Sequence, residues 1–375
     1  MSDSKSVEGH LNSFEGTGLM LPPILIHSKH HPDSTKAQLR VIMGQYWNVI
    51  DIDNQVQIEY LGKIGEGLFR EYDARVFSAI MRRPIKETPI LVPYLRRTTG
   101  LLKLPPELIL ETIGFIKDFI DAVALVMTNK MIYTLGFKSI QRRMVRISAP
   151  CIGSRILCLG DGIKWGRSDL PPGITAKDWE DVMENPDEDD ENDYNYYEFA
   201  QDTFGELERG RLRFPFFWVS ILQEWREKGM RYTGRKNTKS WNEALQAILT
   251  LDDARKGGLA DDRLVLCNLT KRVYVDGGKA WELVKTSLLR TDDGIPCLLE
   301  SILKCHICWS SDSGMSLFYE GELHRGAWAA DRFEITTQDK FMAIKPFPGG
   351  AQDDWKDVTE EAMELTNNVA IAEDS

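Results

Sequence analysis

The residue types best suited to bind a metal stand together near the end of the chain, in Cys305-His306-Ile307-Cys308. Thiolates and imidazoles are common zinc ligands, so a zinc site is one interpretation of this segment. A second pair of ligands at zinc spacing is lacking. In the strand that we predict for 301–309, residues three apart point to opposite faces, so Cys305 and Cys308 would not converge on one ion. The pattern therefore favours buried structural cysteines, with no metal and no cofactor.

Two further patterns contain the residue types of phosphate-binding or catalytic sites. The segment 62–69 is glycine-rich like the phosphate loop of a kinase, but Arg70 stands where that loop needs a third glycine, and the other kinase motifs cannot be read. His306 and His324 have no nucleophile or carboxylate partner that the sequence identifies. We expect a turn at the glycines, no catalytic residues, and a binding protein rather than an enzyme.

Apolar and alternating stretches predict strands on both sides of a helical centre. The segment 46–52, a turn at Asp53-Asn54 and the alternating residues 56–60 form the first predicted hairpin. The later predicted strands are 264–269, 273–275, 301–309 and 332–336.

The two outer parts of the chain share a faint internal repeat. The stretch 49–54 followed by Gly62-Lys63 parallels the stretch 266–271 followed by Gly278-Lys279. Each reads as strand, polar turn, strand and Gly-Lys. Common hairpin turn chemistry is an equally good explanation of the similarity. If the repeat is real, the two halves pair into one β-rich body, with the helical segment inserted between them.

Residues 101–136 have the apolar spacing of helices. The sequence Pro105-Pro106-Glu107 is typical of a helix start, because proline is tolerated there and the carboxylate complements the positive end of the helix dipole. Asp118 is placed to cap a second helix, and Thr128 or Asn129 a third. Three short helices cannot bury two apolar stripes among themselves, so one stripe must meet another surface.

This segment resembles the F-box, the helical module by which substrate adaptors dock on the Skp1 subunit of cullin-type ubiquitin ligases. The stretch Leu104-Pro105-Pro106-Glu107-Leu108 fits the family's opening Leu-Pro-x-Glu-Leu, and Ile113 and Ile116 fit the apolar pair that follows. Leu125 with Thr128-Asn129-Lys130 fits the next helix and its polar turn. The resemblance implies a Skp1-binding module. The residues that it assigns to the Skp1 contact or to holding the module together are Leu104, Pro105, Leu108, Ile113, Ile116 and Leu125.

Two C-terminal segments, 308–312 and 323–333, look like parts of fungal F-box-like proteins whose targets are unassigned, and the predicted hairpin at 264–275 belongs to the same pattern. This resemblance implies an architecture but supplies no chemistry. Trp309 and Trp328, next to strand residues, are typical core anchors.

We therefore predict an α+β fold in which a three-helix F-box-like module lies in or beside a Trp-rich β-containing body. The predicted units are a mobile N-terminal arm at 1–35, a β-rich segment at 36–98, the F-box-like helical module at 99–147, a connector with an acidic loop at 148–194, an α+β C-terminal domain at 195–345 and an acidic tail at 346–375.

Charge and composition argue against several classes of function. The 46 basic residues are outnumbered by 57 acidic ones, giving a net charge of −11, which is unlike a nucleic-acid-binding protein. Six cysteines in 375 residues are too few for a disulfide scaffold. An N-terminal export signal cannot be read, and the most apolar window, 113–127, contains three charged residues. We expect a cytoplasmic or nuclear protein with no membrane or nucleic-acid partner.

The leading hypothesis is a substrate adaptor. The helices would bind Skp1 and through it a cullin ligase, while the β-rich body recognises an unknown protein target for ubiquitination. One alternative is a small-molecule-binding domain or enzyme in the β-rich body, with the helices as its core. A second is a structural interaction protein with similar helices but no ligase role.

Overall fold

The computed structural model describes residues 45–69, 74–83, 85–88, 100–164, 169–183, 195–207, 245, 247–249, 263–286, 289, 297–314, 319, 321–344 and 355–374. Within them the protein is a mixed α/β fold built on one nine-stranded sheet. This confirms the prediction that the chain contains both helices and strands. The predicted arm at 1–35 and the acidic run Asp187 to Asp193 lie outside the described residues.

The sheet contains both antiparallel and parallel pairs. Its strands are β1 Tyr46–Asp51, β2 Val56–Lys63, β3 Arg155–Gly160, β4 Gly205–Glu206, β5 Leu264–Asn268, β6 Val273–Asp276, β7 Cys308–Trp309, β8 Asp331–Thr337 and β9 Lys356–Asp357. Their spatial order is β4-β2-β1-β3-β8-β5-β6-β9, and β7 pairs with β3. The two-residue edge strands β4 and β9 run parallel to β2 and β6, whereas the longer neighbours pair antiparallel.

Helices cover the sheet and form a separate group in the middle of the chain. Their bounds are α1 Ile64–Leu68, α2 Arg75–Ile80, α3 Pro106–Phe115, α4 Phe119–Met127, α5 Lys130–Ser148, α6 Ala176–Met183, α7 Tyr196–Thr203, α8 Gly277–Glu282, α9 Cys297–Ile307, α10 Gln338–Ile344 and α11 Thr359–Asp374. A 3-10 turn at Gly100–Lys103 precedes α3. Helices α3, α4 and α5 contact one another and lie between β2 and β3 along the chain.

The sheet consists of two halves with the same strand arrangement. The first half has the hairpin β1-β2 with β3 beside β1 and β4 beside β2, and the second has the hairpin β5-β6 with β8 beside β5 and β9 beside β6. The halves meet where β3 and β8 pair antiparallel, with Arg155 opposite Arg332. The two hairpins that carry the sequence repeat therefore occupy equivalent places in one sheet, and α3, α4 and α5 are inserted between them.

The turns of the two hairpins use the same hydrogen bonds. Asp51 Oδ1 accepts the N–H of Asn54 at 3.0 Å, and Asn268 Oδ1 accepts the N–H of Lys271 at 3.0 Å. The residue before each returning strand has a positive φ, 50° in the first turn and 54° in the second. A short side-chain acceptor at the end of the first strand thus stabilises both turns in the same way.

A network of charged side chains joins the first hairpin turn to the centre of the sheet. The Arg155 guanidinium lies 2.8 Å from an Asp53 carboxylate oxygen and 2.7 Å from one of Asp178, and Arg332 lies 2.6 Å from Asp53. Burial alone would raise the pKa of Asp178, but hydrogen bonds from Arg155 and Thr175 lower it to about 2. All four charges are therefore matched within the fold.

The apolar core lies on both faces of the sheet. On one face, helices α1, α2, α8, α9 and α11 cover fully buried side chains such as Trp47 and Phe333. On the other face of the first half, α7 places Tyr196 and Phe199 against β1 and β3. Helices α3, α4 and α5 have their own apolar cluster. The β-containing body and the helical group thus each have a core.

The predicted strand at 301–309 is wrong over most of its length. Residues up to Ile307 belong to helix α9, and strand β7 is confined to Cys308–Trp309. Side chains on all sides of α9 are buried, among them Leu298, Leu303 and Cys305. The sequence of α9 keeps the helical spacing, with Leu298, Leu299, Ile302 and Leu303 at intervals of three and four, so the strand prediction overlooked a helical signal.

The segment predicted as an acidic tail at 346–375 differs in structure from that prediction. Helix α11 occupies most of it and packs against α8 and α9 with Met363 and Val369 fully or almost fully buried. Its Asn367 amide donates to the Leu283 carbonyl at 3.0 Å. The predicted connector at 148–194 likewise contains β3, a central strand of the sheet.

Candidate partner-binding face

Helix α3 begins as its sequence predicts. Pro105 is the N-cap residue, Pro106 is the first helical residue and Glu107 lies in the first turn. Proline at this position loses no helical hydrogen bond, and the carboxylate interacts favourably with the helix dipole. The chain therefore enters the helix with Leu104 directly before the turn.

One side of α3 is packed against α5. Ile109 and Ile113 are fully buried. A Cβ atom on Gly136 would lie 2.5 Å from Val126 Cγ2 and 3.0 Å from Ile113 Cδ1, so only glycine allows α5 to approach α3 and α4 this closely. The three helices are held at fixed positions by this contact.

The connection between α3 and α4 is held by a side chain of α5. The Arg143 guanidinium donates to the carbonyl oxygens of Ile116 and Lys117, each at 2.8 Å, and lies over the Phe119 ring at 5.8 Å. Asp118 caps α4 by accepting the N–H of Asp121. The predicted cap at Asp118 is confirmed, and so is the one at Asn129, whose side chain accepts the N–H of Met131.

The outer side of α3 carries large apolar side chains in contact with solvent. Leu104 is 37% exposed, Leu108 44% and Phe115 76%. Leu108 and Phe115 are seven residues apart, which places them on the same side of the helix. Leu110, which is also exposed, lies on a flank of α3. We call Leu104, Leu108 and Phe115 the outer α3 face.

The six residues predicted from the resemblance are divided between this surface and the core. Leu104, Pro105 and Leu108 are exposed, and Ile116 and Leu125 are half-buried. Ile113 is fully buried, which suits the task of holding the helices together and leaves nothing of it for a partner to contact. Phe115 was missed by the motif, although its spacing of seven from Leu108 is a signal that a helical projection would have detected.

The helical group is attached to the body by polar and apolar contacts. The fully buried Gln141 of α5 accepts the N–H of Lys86 at 2.6 Å. Leu245, Ile248 and Leu249 pack into the same apolar cluster as α4 and α5. These contacts use the sides of the helices that face away from solvent.

The cysteines of the possible zinc site lie inside the body. Cys305 is on α9 and Cys308 on β7, and both are fully buried. Burial raises the pKa of the Cys305 thiol to about 12. Cys308 Sγ donates to the Lys304 carbonyl at 3.1 Å, and Cys158 stands opposite Cys308 in the pairing of β3 with β7. Both cysteines pack as neutral thiols, as expected of structural cysteines. The argument for this role assumed a strand at 301–309, whereas Cys305 lies in a helix.

The glycine-rich segment 62–69 and the histidines His306 and His324 lie within the β-containing body. Gly62 has a φ of 69° at the end of β2, and a Cβ on Gly67 would lie 2.6 Å from Leu61 Cβ. The turn expected at these glycines is therefore wrong, because Gly62 belongs to β2 and Gly65 and Gly67 belong to helix α1. His306 stacks on Trp328 in the core, and His324 lies near the end of β7, where its carbonyl accepts the N–H of Ser310.

Comparisons of the chain with models of protein families, with curated proteins and with solved structures found no match. In the described part of the chain, every helix lacks the length or the apolar content needed to cross a membrane. Fold and site define a mixed α/β protein with one continuous sheet, in which three helices with exposed apolar side chains are inserted between β2 and β3 along the chain.

Proposed function

We propose that this protein is an F-box-like substrate adaptor whose helices α3, α4 and α5 dock on Skp1, and through it on a cullin ligase. The observation that supports this most is the exposure of Leu104 and Leu108 at the start of α3, where the resemblance places partner contacts. Ubiquitin transfer would occur elsewhere in the complex. The β-containing body would bind the protein that is to be ubiquitinated.

The exposed side chains favour an interface over a purely structural role. Scattered apolar residues are normal on a protein surface, but α3 and its entry expose three large ones within twelve residues, two of them on the same side of the helix. Aromatic and aliphatic anchors of this kind supply most of the energy of protein interfaces, often about 2 kcal/mol or more each. Phe115 extends the patch by two helical turns beyond Leu108.

The first test is co-purification of the whole chain with Skp1 from the same organism. We expect a stoichiometric complex with the parent protein and none with the Leu104→Ala/Leu108→Ala variant, because each lost anchor weakens binding by about 30-fold. Both side chains are exposed, so the free energy of unfolding should change by less than about 1 kcal/mol.

Two controls separate loss of the interface from loss of the fold. Met342→Ala removes an exposed apolar side chain on α10 and should leave Skp1 binding unchanged. Ile113→Ala truncates a buried side chain in α3 and should cost about 2–5 kcal/mol of stability. A parent protein that does not bind Skp1, or a double variant that still does, would refute the adaptor proposal.

A further inference from the structure

A second group of exposed apolar side chains lies on the sheet, apart from the outer α3 face. Tyr46 is 47% exposed and Tyr60 54%, and their rings are stacked with centroids 6.4 Å apart and an angle of 15° between the planes. These two parallel rings, each about half exposed, offer aromatic surface to a partner, and we call them the tyrosine platform.

Strand register places these tyrosines beside a carboxylate and a third tyrosine. Tyr46 begins β1, and Tyr60 stands opposite Asn48, two residues further along the same face. That face continues to Leu159 of β3 and is the one covered by α7. Asp161 follows β3 by the same alternation, and its N–H donates to the Tyr46 carbonyl at 2.9 Å. Tyr197, at the start of α7, packs on this face as well.

The loops around Asp161 pack closely against each other. Gln45 is almost fully buried and donates to the Asp312 carbonyl at 2.6 Å. A Cβ atom on Gly160 would lie 2.7 Å from Gln45 Oε1, and one on Gly162 2.8 Å from the same oxygen. A side chain at either glycine would displace Gln45 from this contact, so glycine lets the loop that carries Asp161 pack closely against β1.

Two carboxylates, those of Asp161 and Asp312, lie on the β3 side of the tyrosines, and Lys63 lies on the β2 side. Burial raises the pKa of Asp161, and the nearby carboxylate of Asp312 raises it further. The pKa of Tyr60 is raised by burial, by Tyr46 and by Asp161, and that of Tyr197 by burial, Tyr60 and Asp161. These shifts agree with a carboxylate close to the tyrosine rings.

We propose that Tyr46, Tyr60 and Asp161 form a binding site for an arginine side chain of a partner protein. The guanidinium stacks on the exposed tyrosine rings, whose faces attract cations, and its N–H groups donate to the carboxylate. Lys63 stands opposite Tyr46 on β2, and its positive charge repels an arginine on that side. The arginine therefore enters from the β3 side, where Asp161 lies. The site is independent of the proposed Skp1 contact, because it is built on β1, β2 and β3.

The protein already contains the same combination of groups within its own fold. The Arg325 guanidinium lies over the Trp309 ring at 4.7 Å and 2.6 Å from an Asp169 carboxylate oxygen. At Tyr46 and Tyr60 the rings and the carboxylate are present, and the proposal assigns the guanidinium to a partner. Arginine is favoured over lysine because its planar guanidinium stacks on a ring and donates to a carboxylate at once.

The test uses the full-length chain and three fluorescent peptides at physiological ionic strength. In the first peptide arginine alternates with glycine, in the second lysine replaces arginine, and in the third citrulline replaces it. We expect the arginine peptide to bind about fivefold or more tightly than the lysine peptide, and the neutral citrulline peptide not to bind. Fluorescence anisotropy measures all three affinities.

Variants of the site separate stacking from general attraction to an acidic protein. Tyr46→Ala/Tyr60→Ala should abolish the preference for arginine over lysine, whereas Tyr46→Phe/Tyr60→Phe, which keeps both rings, should retain most of it. Asp161→Asn should weaken arginine binding about tenfold, whereas Glu364→Gln, which changes the net charge equally on the exposed side of α11, should not.

Each outcome of this experiment decides the proposal. Equal affinity for the arginine and lysine peptides would mean attraction by net charge alone and would overturn it. So would an arginine peptide that does not bind, or a preference for arginine that survives removal of both rings. None of these results bears on whether the helices bind Skp1.

Discussion

Replacement of Lys304 by methionine is expected to destabilise the protein by about 3–5 kcal/mol. The ammonium is almost completely buried in α9 and lies 2.8 Å from a carboxylate oxygen of Glu59 and 2.8 Å from one of Glu300. Methionine fills a similar volume but leaves two buried carboxylates without their shared cation. Urea denaturation of the parent and the variant measures the difference.

The charges around Lys304 make its loss more costly than that of a surface lysine. Burial raises the pKa of Glu59, and the charge of Glu300 raises it further, although Lys304 and Arg75 act in the opposite direction. Without Lys304, the repulsion between Glu59 and Glu300 raises the pKa of Glu59 further. Glu300 cannot turn away, because it also accepts the N–H of Phe77 at 3.2 Å.

Two further variants test this explanation. Lys279→Met removes a half-exposed lysine that pairs with Asp357 on the surface and should change stability little. Adding Glu59→Gln and Glu300→Gln to Lys304→Met removes all three charges and should recover a large part of the loss. If the triple variant is no more stable than Lys304→Met, the loss comes from packing and not from unpaired charge.

The local parts of the fold could be predicted from the sequence. The first hairpin follows from alternation and from the turn at Asp53-Asn54, and the helix starts follow from Pro105-Pro106, Asp118 and Asn129. These signals depend on neighbours within a few residues, which a sequence displays directly. For the same reason Leu104 and Leu108 could be named as surface candidates, since they stand at a recognisable helix start.

Features that depend on distant contacts could not be predicted. Helix α9 is covered on all sides, and its charged Lys304 is matched by Glu59, which lies 245 positions earlier in the sequence. The sequence of helix α11 resembles an acidic tail because its exposed glutamates alternate with buried residues of small and medium size, such as Ala362 and Met363. Only the folded partner surface distinguishes such a helix from a solvated segment.

The candidate sites divide in the same way. The outer α3 face lies within one helix and its entry, so helical spacing is enough to predict it, including Phe115, which the motif missed. The platform of Tyr46 and Tyr60 with Asp161 joins residues more than 100 positions apart, through the pairing of β1 with β3. A sequence shows three ordinary residues there, and their combination exists only in the sheet.

Between pH 6.5 and pH 4 the protein is expected to lose stability through His306. This side chain is buried in α9, stacks on Trp328 with centroids 4.3 Å apart, and has its Nδ1 2.7 Å from the Ile302 carbonyl oxygen. Burial lowers its pKa to about 4, although the hydrogen bond to Ile302 acts in the opposite direction. The unfolded chain has an ordinary histidine pKa of about 6.5.

The sign of the effect follows from which state binds the proton. Above pH 6.5 His306 is neutral in both states and contributes no pH dependence. As the pH falls from 6.5 to 4, the unfolded chain binds a proton that the folded chain does not, so the free energy of unfolding decreases by about 2–3 kcal/mol in total. Glu59, whose pKa is raised, contributes with the opposite sign in acid, so the His306 effect has to be isolated by difference.

The variant His306→Phe isolates the contribution of His306 to the pH dependence of stability, because phenylalanine keeps the stacking on Trp328 and does not titrate. Urea denaturation at several pH values between 4 and 7 should show the parent losing stability relative to the variant as the pH falls, with the two curves parallel above pH 6.5. The same comparison in a Glu59→Gln background should give the same difference, since the two groups lie on different elements. Parallel curves over the whole range would mean that His306 takes up a proton as readily in the folded protein as in the unfolded chain, against the burial seen in α9.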